Sequence, residues 1–342
     1  MHTWKGVLKV IAITLLSLLS CIGAVFLYFN LPGPMPREDV HLGMTFSSRY
    51  ATDLGLDWKE TYRALLSDVG VKKMRIPVYW DLVEPEPGKT YYADVDWQIE
   101  EAKKAGAEII LSIGQRVPRW PECHIPGWAK QKSDEERQQA LKGFLAETVN
   151  RYKYESIITT WQVENEPFLV FFGECPPLDV DFLEEEVALV KALDGERQRP
   201  VLLTDSGELS IWTRAAKRGD IFGTTMYRMI YKGGWGYVTY PIGPNFFRAK
   251  EWLVRLVTDQ EHFMVIELQA EPWTNGWVGN VSLPEQFITM NEKLLEENVT
   301  YARQVGFQDI YLWGGEWWYW LKTKKDYPAV WEKGKELFKQ FP

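Results

Sequence analysis

The chain is poor in the residues on which several enzyme classes depend. It has only four histidines, His2, His41, His124 and His262, and three cysteines, Cys21, Cys123 and Cys175. Such a count argues against a His-based metal centre or a Ser-His-Asp hydrolase, and the cysteines lack zinc-ligand spacing. No glycine loop of the phosphate-binding kind occurs. Basic charge is short as well. The 39 Lys and Arg are outnumbered by 47 Asp and Glu, giving a formal charge of -8, the opposite of what a phosphate-tracking nucleic-acid surface requires. Nothing reads as low-complexity, and at 46% hydrophobic and 25% charged the 342 residues can bury one large core or two ordinary ones.

One hydrophobic run is long. Residues 10–29 are almost unbroken in apolar character and about as long as a bilayer is thick. Lys5 and Lys9 precede the run, and Leu31-Pro32-Gly33-Pro34-Met35-Pro36 follows it. This pattern predicts a cytoplasmic stub and signal anchor over 1–30, a linker over 31–39 and a single globular domain over 40–342 outside the cytoplasm. A cleaved signal peptide is the competing reading, although the apolar run continues past any small-residue cleavage site. Leu19-Ser20-Cys21 loosely matches a lipoprotein signal, but apolar residues follow Cys21.

Beyond the linker, short apolar runs alternate with amphipathic helical patterns eight times, the runs falling at 41–46, 73–78, 108–113, 157–163, 201–204, 221–226, 263–267 and 309–313. Eight strands with intervening helices predict an α/β fold, a (β/α)8 TIM barrel. An open doubly wound sheet shows the same alternation but usually brings a phosphate loop. Helix starts are marked at Asp57-Trp58-Lys59-Glu60, Ser133-Asp134-Glu135-Glu136 and Ser282-Leu283-Pro284-Glu285. Two runs end on carboxylates. Trp161-Gln162-Val163 leads into Glu164-Asn165-Glu166-Pro167, and Phe263-Met264-Val265-Ile266 leads into Glu267. Residues at the carboxyl ends of barrel strands are where such folds keep their chemistry.

Asn165-Glu166-Pro167 after the fourth run, Glu267 at the seventh and Trp313 at the eighth resemble clan A retaining glycoside hydrolases. The segment Trp80-Asp81-Leu82-Val83-Glu84-Pro85-Glu86-Pro87-Gly88 is similar to the loop after their second strand, as found among β-galactosidase-like and cellulase-like members. The resemblance spans roughly residues 40 to 320, and no single family is assigned. It implies a retaining O-glycoside hydrolase that cleaves β-glycosidic bonds of envelope or extracellular oligo- or polysaccharides with two Glu residues and no cofactor or metal. A glycan-binding barrel without catalysis, and a transglycosylase using the same residues, are the alternatives.

Cleavage with retention needs one carboxylic acid at the leaving oxygen and one carboxylate at the anomeric carbon. The resemblance implies Glu166 as acid/base and Glu267 as nucleophile. Glu271, four residues further on, is the rival nucleophile, and Glu164 is expected deeper, in a buried hydrogen-bond network. Arg75 is expected to steady the nucleophile, Tyr227 to hydrogen-bond it, and Asn165 to donate to the sugar's 2-hydroxyl. Trp313 is the expected sugar platform. Glu316, Trp317 and Trp80 are further candidate substrate contacts. Many cellulase-like relatives place a His after the third strand, but here Gln115 or Arg116 occupies that region. Finally, Cys123 and Cys175 lie in Pro-rich loops expected at the same barrel face, which predicts a disulfide between them; two buried free thiols are the alternative.

Overall fold

A computed structural model describes residues 2–342; Met1, the first residue of the expected stub, lies outside the described residues. The eight runs form parallel strands: β1 (His41–Thr45), β2 (Lys73–Pro77), β3 (Glu108–Ile113), β4 (Ile158–Val163), β5 (Val201–Asp205), β6 (Ile221–Met226), β9 (Phe263–Gln269) and β10 (Asp309–Trp313). They close into a barrel in the order β1-β10-β9-β6-β5-β4-β3-β2. An antiparallel hairpin of β7 (Met229–Lys232) and β8 (Gly236–Thr239) is built into the connection after β6.

Period-two alternation sorts the strand residues between two cores. Ile109 and Leu111 join the large cluster shared with the surrounding helices, whereas Ile110 packs with Leu202, Met264, Ile266 and Tyr311 in a separate cluster that fills the barrel's interior. Tyr311 fits because the residue opposite it is Gly43, where a Cβ would lie 2.6 Å from the Tyr311 ring. The register slips between β6 and β9 where Thr224 pairs with Val265 and Thr225 with Glu267, leaving Ile266 as the extra residue of a bulge. Strict alternation would turn Glu267 away from the side taken by Ile266. The bulge returns it to the inner side, a common use of bulges beside active sites. Glu267 therefore does not terminate its strand, which runs on to Gln269.

Helix signals hold locally. Asp57 caps its helix by accepting from the Lys59 and Glu60 amides, and the helix ends at Gly70 in the left-handed conformation. Ser133 and Glu136 form a reciprocal capping box. Ser282 precedes the helix Leu283–Thr289 but makes no capping hydrogen bond. At the amino end, His2–Asn30 is one helix; within Trp4–Asn30 an 18-residue window has mean hydropathy 2.6 and no buried residues, long and apolar enough to cross a membrane or to serve as a signal sequence. Its end touches the barrel, with Phe29 edge-on to Phe246 at 5.3 Å between ring centroids.

Replacing Gly43 by Val should destabilise the barrel by about 1–3 kcal/mol through overpacking against Tyr311. Tyr311→Leu in the same chain should recover part of the loss in urea unfolding. Independent, additive losses would show that the two side chains do not share the space.

Candidate active site

At the carboxyl ends of the strands, an open cavity of about 910 Å³ is lined by Glu122, Glu166, Glu267, Glu271, Tyr227, Trp313 and aromatic residues of the surrounding loops. Glu267 is held from two sides: Arg75 Nη1 donates to its Oε1 at 2.7 Å and Tyr227 Oη donates to its Oε2 at 3.0 Å. Glu166 follows β4 in a turn with φ +43°. Its amide donates to Thr204 Oγ1 at 2.8 Å, and Thr225 Oγ1 donates to its Oε1 at 3.1 Å. Thr225 is the register partner of Glu267 on the neighbouring strand, so the two carboxylates share one corner of the cavity. Burial, and then the charges of Glu267 and Glu122, hold the Glu166 carboxyl well above the usual range. The pair thus combines a carboxyl whose proton is favoured by burial with a carboxylate gripped by a cation.

Arg75 is fully buried and reaches Glu267, Asn165 and Gln162 from below, so it is a positioning residue, not a wall of the cavity. Asn165 is buried too. Its Oδ1 accepts from Arg75 Nη2 at 2.7 Å and its Nδ2 donates to Glu122 Oε2 at 3.0 Å. Trp313 lines the cavity, but the Arg119 guanidinium lies 4.0 Å from its ring centroid and covers one face. Glu164 is buried as expected, accepting from the Gln115 and Arg116 amides at 2.8 and 2.7 Å. Glu271 is ion-paired to Arg119 and accepts from Trp313 Nε1 at 2.8 Å.

Four expected substrate contacts are corrected. Trp80 is fully buried against Phe144 and Trp128, and its Nε1 donates to Glu84 Oε2 at 2.9 Å. Glu84 Oε1 in turn accepts from the Gly88 amide at 2.8 Å. The Trp-x-x-x-Glu-Pro-x-x-Gly spacing is therefore a local lock on the loop. Trp317 is fully buried and donates to Gln286 Oε1 at 2.7 Å. Glu316 is completely buried beneath the mouth, accepting from the Ser47 amide and from Arg119 Nη2. Gln115 lines a small side crevice with Cys175 and Glu186.

The sequence reading missed Arg119 and Glu122. Both sit in the loop after β3 with positive φ, +92° and +71°, a conformation costly for residues with side chains and common at functional sites. A disulfide between Cys123 and Cys175 pins this loop to the one after β4, and Gly173 leaves room for Glu122, whose Cβ would stand 2.8 Å from an added methyl. Arg119 is sandwiched between the Tyr50 and Trp313 rings at 3.8 and 4.0 Å. Burial first, then the charge of Glu267, pushes Glu122 up to about 7. The available signal was proximity: both residues flank the Cys123 expected at the barrel mouth.

The model of the family Cellulase (glycosyl hydrolase family 5) matches residues 43–176. No curated protein matches the chain by sequence. Among solved structures, a glycoside hydrolase family 5 subfamily 18 protein from Bifidobacterium longum subsp. longum, in complex with Manβ1-4GlcNAc, aligns with TM-score 0.56 at 13% identity over 80% of this chain and 68% of its own. A β-galactosidase from the haloarchaeon Halorubrum lacusprofundi aligns with TM-score 0.54 at 14% identity over 80% and 52% of the two chains. An exo-β-1,4-mannosidase from Opitutaceae bacterium strain TAV5 gives 0.55 at 14% identity over 80% and 51%. The chain resembles clan A glycoside hydrolases, and the fold is theirs.

Burial pushes Glu122, Glu208 and Glu316 each up to about 7 from an ordinary value of 4.5. A carboxyl raised on folding contributes stability that is complete below its unfolded value and is lost as pH rises through its folded value. Thermal unfolding should therefore fall in temperature between about pH 4.5 and 7, each tenfold change in proton affinity being about 1.4 kcal/mol. Glu208→Gln, which keeps an acceptor for the Tyr227 amide, should flatten the slope; a melting temperature rising over this interval would contradict the assignment.

Proposed function

We propose that the protein is a retaining β-glycosidase acting by double displacement, with Glu166 as acid/base and Glu267 as nucleophile. The observation that carries the reading is the two carboxyls in one cavity: Glu166 is buried beside Glu267 with its proton favoured by that burial, while Glu267 is gripped by Arg75 and Tyr227. The resemblance to clan A supports the same assignment.

In the first step Glu267 attacks the anomeric carbon while Glu166 gives its proton to the glycosidic oxygen, so the C–O bond breaks and the alcohol leaves neutral. A glycosyl ester on Glu267 remains. With its proton gone, Glu166 takes one from water as the water oxygen attacks the same carbon, and the ester bond breaks. Two inversions give net retention. Arg75 and Tyr227 hold Glu267 with an oxygen aimed at the carbon and stabilise it again as the leaving carboxylate. Asn165 is held by Glu122 on one side and Arg75 on the other, which fixes the turn carrying Glu166.

The setting we propose is a membrane-anchored, extracytoplasmic one, on envelope or extracellular glycans. Support comes from the apolar helix, the Lys5 and Lys9 flank, and a disulfide of the kind that persists in oxidising compartments. Protease added to intact cells should remove the barrel and leave the helix with the membrane; a protected barrel would reverse the orientation.

Glu267→Ala should lose at least about 10³-fold in kcat on aryl β-glycosides, on the scale of other lost nucleophiles, and azide should partly restore turnover with inverted product. Rescue of Glu271→Ala in place of Glu267→Ala would move the nucleophile. Glu166→Ala should slow poor leaving groups by about 10²–10⁴-fold and activated aryl groups far less; equal losses for both would remove the acid/base role.

A further inference from the structure

Resting on the glycosidase reading, the loops on the acid side of the cavity say what kind of leaving group fits. Glu166 is followed directly by the loop that carries Leu169, Val170, Phe171 and Phe172, and the neighbouring strand β5 is followed by the loop that carries Leu209 and Ile211. Leu169, Phe171, Phe172 and Leu209 line the cavity. Phe171 is 71% exposed and Leu209 54%, with Val170 at 64% and Ile211 at 80% beside them on the same loops. Isolated exposed apolar residues are ordinary, but a contiguous group at the lip of a cavity marks a binding surface.

The chemistry of the group narrows the occupant. Rings such as Trp120 and Trp273, which flank Phe172, can stack on a sugar face. Leu169 and Leu209, which line the cavity, have no ring face and no hydrogen-bonding group, so a second sugar against them would lose water without gaining partners. An alkyl chain loses nothing there. The polar groups of the lining are Ser206 and Glu208 on the loop after β5 and, around β10, Arg119, Glu271 and Trp313. The same chain also carries a helix of bilayer length, and amphipathic glycosides concentrate at bilayers.

We propose that the natural substrate is an amphipathic β-glycoside, with the sugar in the carboxylate corner and a hydrocarbon-bearing aglycone along the 169–172 and 209–211 loops. Cleavage then follows the steps above, and the lipid alcohol leaves with the proton from Glu166.

The test uses the full chain held in amphipol and a series of alkyl β-D-glucosides, β-D-mannosides and β-D-galactosides from methyl to octyl, below their micelle concentrations, beside aryl glycosides and the matching disaccharides. For whichever glycone is accepted, kcat/KM should rise at least tenfold from butyl to octyl, short of the limit set by full burial of each methylene, and should exceed that of the disaccharide. Phe171→Ser with Leu209→Ser should abolish the chain-length dependence, bringing the octyl glycoside down to the kcat/KM of the butyl. A flat series, or a disaccharide cleaved better than the octyl glycoside, would overturn the proposal while leaving the glycosidase reading intact. No turnover of any aryl, alkyl or disaccharide substrate would remove the glycosidase reading instead. In that case the aglycone surface is read by quenching of Trp fluorescence, where octyl β-D-glucoside should bind at least tenfold tighter than methyl β-D-glucoside in the native chain but not in the double variant; equal affinities would overturn it.

Discussion

One buried guanidinium organises the mouth of the barrel. Arg75, on β2, is completely inaccessible and bonds to Glu267 on β9, to Gln162 on β4 and to Asn165 just beyond it, each at 2.7 Å. A cation removed from water is costly unless its partners are close and well directed, and a planar fork with five donors can meet three partners at fixed angles where an ammonium cannot. Barrel closure brings those partners together, so the geometry of the two key carboxyls depends on strand register. Without the bulge at Ile266, Glu267 would face the helices and Arg75 would keep its charge without the opposing carboxylate.

A second layer sits on top of this and comes from loops. The disulfide joining Cys123 to Cys175 ties the loop after β3 to the loop after β4, and the Glu174 amide donates to the Pro121 carbonyl at 2.9 Å alongside it. Two residues with positive φ, Arg119 and Glu122, are held between these ties. Arg119 collects Glu271 and Glu316 under the Trp313 ring, while Glu122 closes the chain of contacts back to Asn165 and Arg75. Local strain of this kind persists when the surroundings over-determine the conformation.

The eight strands were legible because buried parallel strands read as bare apolar runs, and the helix caps at Asp57 and Ser133 because capping is local chemistry. Glu166 and Tyr227 follow runs, Glu267 ends one and Arg75 lies inside the run at 73–78, so the four were picked out by the resemblance to clan A rather than by run ends alone. Partnership was harder to read. Trp80 and Trp317 have the composition of sugar platforms, but their burial depends on helices that pack over them from elsewhere in the chain. Glu316 looks like a loop acid until Arg119, nearly two hundred residues away, is folded beneath the mouth. The hairpin after β6 escaped because Gly-rich, Tyr-rich segments carry little alternation, and the bulge escaped because a one-residue register slip leaves no compositional trace.

The same loops tie specificity to acid strength. A carboxylic acid serves as a proton donor near neutrality only when its charged form is disfavoured, and burial is the first cause that raises Glu166. Part of that burial comes from the segment directly after it, since the Leu169 amide donates back to the Glu166 carbonyl at 2.9 Å and brings an apolar side chain over the turn. On the other side, Arg75 and Tyr227 hold Glu267 with directed hydrogen bonds. An apolar wall beside Glu166 and a cation beside Glu267 are thus the two halves of one electrostatic arrangement. A polar wall suited to a sugar acceptor would hydrate Glu166 and weaken the condition that keeps it protonated. In the proposed reaction a hydrocarbon aglycone in the same place excludes water further, so the leaving group also helps keep Glu166 protonated until the proton is transferred.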